Sequence, residues 1–215
     1  MGQPDLELAV ALPSPSGAGV ARRSVRRYLP QPVPPTTIRG LLEAATAAPS
    51  AHNRQPWRFV VLSSGQHKAR LARAMGDRLR EDRVADHDAV ADVDADVARS
   101  LARITGAATV VVVCLSMEHM DSYPDAQRNR HEHLMAVQST AMAGHNLLLA
   151  AHAQGLGACW LCAPLFCAGT VREALCLPGH WEPQGMVTLG YPAAAARSVG
   201  RRDLSEVALF LGEES

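Results

Sequence analysis

A single lysine, no surplus of charge and no regular cysteine pattern set the first bounds on this chain of 215 residues. Its 21 basic residues, twenty of them arginine, are balanced by 21 acidic ones. No net basic field exists to gather nucleic acid, so any anion site has to be local. The five cysteines are odd in number and irregularly spaced, and no leader with a charged, an apolar and a small-residue part opens the chain. Both features point to a reducing cytoplasm. The one long apolar helix, residues 130–154, is interrupted by His145, Asn146 and His152, which argues against a membrane span.

Whole classes of chemistry are missing as well. There is no hydrolytic triad, no phosphate-binding P-loop and no G-x-G-x-x-G dinucleotide loop; GLGACW at residues 155–160 is one glycine short and follows a helix instead of opening one. The carboxylates of residues 81–96 alternate with alanine and valine but lack the glycine and closing glutamate of a calcium loop. They read as a solvated lid or as a connection between helices. His131 and His133 sit two apart at a helix start and cannot face the same way, so no metal site is expected.

What remains is 47% hydrophobic, enough for one core. Residues 1–20, rich in Pro, Gly, Ala and Ser, read as a flexible leader, and residues 21–215 as the domain. The pattern predicts helices over 36–48, capped by Thr36 or Thr37, over 66–80, 97–104 and 166–175, and strands over 57–62, 108–115 and 184–189. Residues 130–154 are apolar almost all round, with Leu134, Val137, Ala141, Ala143, His145, Leu148 and Ala151 at three- and four-residue steps. That composition predicts a buried central helix.

Three polar patches lie far apart along the chain. Arg22, Arg23, Arg26 and Arg27 crowd around Ser24, a set of forks and a hydroxyl that suits phosphate, or else a solvated basic turn or a nucleic-acid arm. Ser50, His52, Asn53 and Gln55 form a polar loop between Pro49 and Pro56, suited to a flat polar ligand or serving simply as a helix-to-strand connection. Arg201 and Arg202 stand together near the end. Cys159 and Cys162 have redox-pair spacing but lie in an apolar strand, which favours structural thiols.

In order and spacing, R-R-S-x-R at residue 22, P-S-x-x-N-x-Q-P-W-x-F at residue 49 and the basic pair before D-L-S-E-V resemble the FMN-dependent nitroreductase family over nearly the whole chain. The resemblance implies an α+β fold with a mixed central sheet flanked by helices, and an interwoven homodimer with FMN at its interfaces. It implies phosphate contacts from Arg22, Ser24 and Arg201 with Arg202 beside them, and ribityl and pyrimidine contacts from Arg23 and Arg26. Pro49, Ser50, Ala51 and Asn53 are implied to cover the flavin from the other subunit. The backbone at Cys162 and Ala163 is implied to face the ring, with Ser100 and Arg103 nearby. In the family a glutamate-glycine pair often stands where Cys162 and Ala163 stand here.

Within that family, S-Y-P-D-A-x-R at residue 122, G-L-G-x-C-W at 155 and W-E-P-x-G at 181 are similar to the reductase domain of the actinobacterial ligase of the deazaflavin coenzyme F-420. This implies reduction of a dehydro precursor of that coenzyme. The alternatives are a general NAD(P)H-dependent reductase of nitro compounds or quinones, and a flavin- or deazaflavin-binding protein without turnover. His52, Tyr123 and Asp125 are expected to touch substrate, unless Tyr123 and Asp125 merely build the turn before the central helix. The flavin carries the chemistry, so no catalytic side chain is expected, and neither nucleic acid nor membrane is an expected partner.

Overall fold

In the computed structural model, which describes residues 22–196 and 199–212, four strands form one sheet in the order β1-β2-β4-β3. They are β1 (Trp57–Leu62), β2 (Thr109–Ser116), β3 (Gly157–Leu161) and β4 (Trp181–Gly190). All three pairings are antiparallel. A parallel component enters where Ser24 bridges Ala158 outside the named strands. The expected leader, residues 1–20, lies outside the described residues.

β2 is buried along its whole length because it is paired on both sides and covered on both faces. Val111 and Val113 point into one cluster with Ile38, Leu41, Leu147, Ala151, Val187 and Leu189. Val110 and Val112 point into the other, with Leu71, Met75, Ile104, Val171 and Met186. The period-two alternation of β2 thus serves two cores at once. The first face is covered by α1 (Pro35–Thr46) and α4 (Ala126–Ala153), the second by α2 (Gly65–Ala85), α3 (Val90–Thr105) and, past the short α5 (Ala163–Phe166), α6 (Ala168–Leu175).

Several expectations need correction. Neither Thr36 nor Thr37 caps α1; the helix starts after Pro34 with Pro35 in its first turn and no side-chain cap. Proline supplies the helical φ there and lacks only an amide that would have no intrahelical partner. Of the two alternatives for residues 81–96, the connection between helices is the one formed. These residues finish α2, turn through His87 and begin α3. Their carboxylates meet the arginines of the hairpin: Arg83 binds Asp88 and Asp96, Arg80 binds Asp94, and Arg99 binds Asp96. The expected helix over 166–175 is broken at Cys167, whose φ of −142° separates α5 from α6.

The central helix α4 is buried on one flank only. Ala143, Leu147 and Ala151 are fully covered, whereas Leu134 and Met142 are 51% and 40% exposed. Ala141 and His145, expected on the inner stripe, are exposed too. The lone lysine, Lys68, is buried at the end of the sheet, where its ammonium donates to the carbonyls of Ala107 and, at 3.2 Å, of Ala108. Burial pulls its pKa down from the usual lysine range.

Asp125 starts α4. Its carboxylate accepts from the Arg128 amide at 2.8 Å and from Arg128 Nε at 2.5 Å. The amide bond first, and the guanidinium second, hold its pKa below the usual value of 3.8. A carboxyl group whose pKa is depressed by folding stabilises above its unfolded pKa, and that contribution is lost as pH falls through the folded value. Asp125→Ala is therefore expected to lower the thermal midpoint at neutral pH. The gap from the native chain should close as the pH drops below 3.8; a gap independent of pH, followed by circular dichroism, would contradict the cap.

Candidate functional site

The basic segment after residue 21 is drawn onto the sheet by backbone bonds. Val25 N donates to Ala158 O at 3.0 Å, Leu29 N to Tyr191 O at 2.8 Å, and Ala193 N to Arg27 O at 3.1 Å. Tyr28 pins the strip from below, its hydroxyl lying 2.7 Å from Val25 O and 2.9 Å from both Thr188 O and Thr188 Oγ1. Burial of that hydroxyl, only partly offset by the Thr188 bond, raises its pKa to about 12, so it stays neutral at ordinary pH. The approach depends on Gly157, since a Cβ there would stand 2.6 Å from Val25 Cγ1.

So fixed, Arg22, Arg23, Ser24 and Arg26 meet Val199, Gly200 and Arg201 around one cavity of about 650 Å³. Among the described residues, no carboxylate lines it, and none pairs with Arg22, Arg26 or Arg201. Arg201 Nη1 instead donates to Gly200 O at 3.2 Å. A concave set of guanidinium forks and a hydroxyl, without a competing acid, is the donor chemistry that a phosphate monoester requires. Arg202 is exposed and is not among the lining residues. Arg22 and Arg23 also line an adjoining cavity of about 350 Å³ with Leu148, His152, Leu156 and Pro192.

Pro49, Ser50, Ala51, His52 and Asn53 lie elsewhere, at the end of α1, and none of them lines the arginine cavity within one chain. Their loop is held in a costly shape: His52, Asn53 and Gln55 have φ of 49°, 54° and 49°. Non-glycine residues occupy that region only where the surroundings impose it. Here Ala51 N donates to Ser139 Oγ at 3.3 Å, Gln55 N to Ser50 Oγ at 3.1 Å, and Arg54 pairs with Asp121 at 2.5 Å. The exposed side chains of His52 and Asn53 are thus presented on a fixed frame.

A third group forms where α3 passes α5. Ser100 and Ala163 share a cavity of about 110 Å³ with Met75, Arg78, Phe166 and Cys167; Arg103 is exposed and does not line it. Cys162 is exposed, and the Trp160 indole N–H donates to its sulfur at 3.1 Å. Cys159 is buried in β3, and both thiols are free, so the two are not a disulfide. Tyr123 and Asp125 are tied into the turn before α4, Tyr123 by both backbone groups to the Asn129 amide at 2.8 and 2.7 Å, with the Arg128 guanidinium 5.0 Å from the centre of its ring. Among the described residues, no group of three or more His, Cys, Asp or Glu is placed to hold a metal.

Sequence reasoning overlooked Val199, Gly200 and His152 as cavity-lining residues. Gly200, directly before the arginine pair, carried a usable signal, because a residue without a side chain lets backbone and ligand approach closely. His152 carried none: it stood in an apolar helix with nothing to mark its side.

A cradle of arginines and a serine on the edge of the sheet, without an acid among the described residues, offers donors that suit an anion, and comparison with known proteins supplies the class. The model described as "Nitroreductase family" matches residues 20–191. The chain is 32% identical over 201 residues to a protein of Thermus thermophilus named NADH dehydrogenase, covering 90% of this chain and 94% of that one. Over 187 residues it is 32% identical to a protein of Methanothermobacter thermautotrophicus named for NADH dehydrogenase and NAD(P)H nitroreductase activity, covering 85% and 78% of the two chains. A crystal structure from Desulfovibrio desulfuricans, assigned as a nitroreductase in complex with FMN, superposes with a TM-score of 0.71 at 30% identity, covering 92% and 96%.

The chain belongs to the nitroreductase family. It is an FMN-dependent oxidoreductase of that family. No helix among the described residues is long and apolar enough to cross a membrane.

Proposed function

We propose that this chain is a general two-electron reductase that takes electrons from NAD(P)H and passes them to small nitro compounds or quinones. The observation that carries it is the convergence of Arg22, Ser24, Arg26 and Arg201 on one cavity that no acid among the described residues lines, which fits the FMN phosphate. The relatives' names, NADH dehydrogenase and NAD(P)H nitroreductase, support the donor and the acceptor class. With a quinone the balance is simple: NADH and one proton give NAD⁺, and the quinone becomes its hydroquinone.

Bound FMN supplies the two-electron relay between donor and acceptor. The protein's own part is to hold and to shield. Arg22, Ser24 and Arg201 bind the phosphate, Arg23 and Arg26 line the path from it, and the segment at Cys162 and Ala163 limits access to the ring together with Ser100. The rigid loop of residues 49–55 covers the flavin from a second copy of the chain. Two features support that homodimer: the loop does not reach the cavity within one chain, and apolar Leu134, Met142, Val207 and Phe210 are exposed on it. His52 and Tyr123 then stand at the acceptor's entrance, whereas Asp125 is already engaged in its cap.

The test is spectroscopic. The purified protein should show a flavin absorbance band, lose it anaerobically on addition of NADH or NADPH, and regain it with a nitroaromatic or a quinone. A colourless protein that does not take up added FMN would end this reading. The narrower expectation, reduction of a dehydro precursor of coenzyme F-420, enters the same experiment as a competing acceptor. Reoxidation by that precursor alone would replace the general reading.

A further inference from the structure

The indole of Trp160 occupies a slot cut by two glycines from different elements. A Cβ on Gly144, in the middle of α4, would stand 2.4 Å from Trp160 Cζ3, and one on Gly185, in β4, would stand 2.3 Å from Cζ2. Gly185 adjoins the irregularity where β2 and β4 shift register between Val113 and Cys114. A helix interior and a buried strand both lose stability by carrying glycine, so the two positions are explained by the ring they admit. From that slot the indole N–H reaches the sulfur of Cys162 at 3.1 Å, while the Trp160 backbone pairs with Val187 in the sheet.

We propose that Trp160 is the positioning residue of the corner at Cys162 and Ala163. Its ring fixes the course of the chain where β3 ends, and its N–H fixes the Cys162 thiol in one orientation. Cys162 is exposed and Cys159 buried, so the positioned thiol is the one that meets an incoming molecule. The N–H at sulfur also sets the direction in which the thiol meets an incoming electrophile, so its reaction rate depends on the indole. The link from this corner to the flavin rests on the function proposed above; the link from Trp160 to the thiol does not.

Trp160→Phe keeps an aromatic ring in the slot and removes only the donor. Carbamidomethylation of the native protein, resolved by peptide mass, should then be slower at Cys162 by roughly 3- to 10-fold, the worth of one hydrogen bond. The other exposed thiol, Cys176, serves as an internal reference and should keep its rate. Equal rates at Cys162 in the native and Trp160→Phe proteins would overturn the assignment. Gly144→Ala, which pushes the ring itself, should slow the same site and no other; an unchanged Cys162 rate in that variant would count equally against it. Excess FMN should protect Cys162 and not Cys176. Failure to protect in a protein that has bound FMN would remove the corner's role toward the flavin, whereas failure to bind FMN at all would sink the proposed function and leave the thiol comparison standing.

Discussion

Replacing Arg22 and Arg201 together by alanine is expected to weaken FMN binding roughly 100-fold while leaving riboflavin binding within about twofold. The two arginines come from opposite ends of the described chain and converge on one cavity, with no carboxylate partner among the described residues. A charge-assisted bond to an anion is worth about 1.5–3 kcal/mol when sheltered. Arg201 is exposed and Arg22 half-buried, so solvent screening brings each to about 1–1.5 kcal/mol, and the pair to roughly 100-fold. Riboflavin lacks the phosphate and isolates it from the ring. Fluorescence titration with both ligands decides the matter: an equal loss for FMN and riboflavin would mean that the arginines support the fold and do not grip the phosphate.

Much of the fold was legible because its signals are local. Residues 57–62 and the unbroken apolar run of β2 read directly as strands, and the stripe of Ile38, Leu41 and Ala45 read as one helix face. The inner side of α4 could not be read. A helix that is apolar all round has no periodic contrast to say which flank meets the sheet, so Leu134, Ala141 and His145 share one periodic set with Ala143 and Ala151, although of these only Ala143 and Ala151 are buried. The ion pairs of the acidic residues 81–96 were illegible for a different reason. Alone these residues look like a solvated run, and only the hairpin reveals that Arg80, Arg83 and Arg99 neutralise them across two helices. For the site, charge at residues 22–26 was visible, but its meeting with Arg201 depends on pairing over more than 150 residues of separation, which no window of sequence contains. The family resemblance, and not periodicity, joined them.

Gly157→Val should be the most damaging single change to the site among residues that touch no ligand. Added methyl groups would meet Val25, whose Cγ1 and Cβ lie 2.6 and 2.7 Å from the position of a Cβ on Gly157. The strip bearing Arg22, Ser24 and Arg26 is tied to β3 by the Val25–Ala158 bond of 3.0 Å and the Ser24 bridge, so it must lift off or strain the strand. Overpacking of this kind costs about 1–3 kcal/mol, and in a chain of this size each kcal/mol lowers the thermal midpoint by about 2–4 °C. Because the strip carries most of the cradle, FMN affinity should fall with stability, by more than tenfold, a full decade being about 1.4 kcal/mol. Gly179→Ala is the matching control, since a Cβ there meets nothing within 4 Å. If Gly157→Val loses stability yet holds FMN as tightly as the native chain, the arginine strip does not depend on β3 for its place, and the cradle must be set by the segment around Gly200 instead.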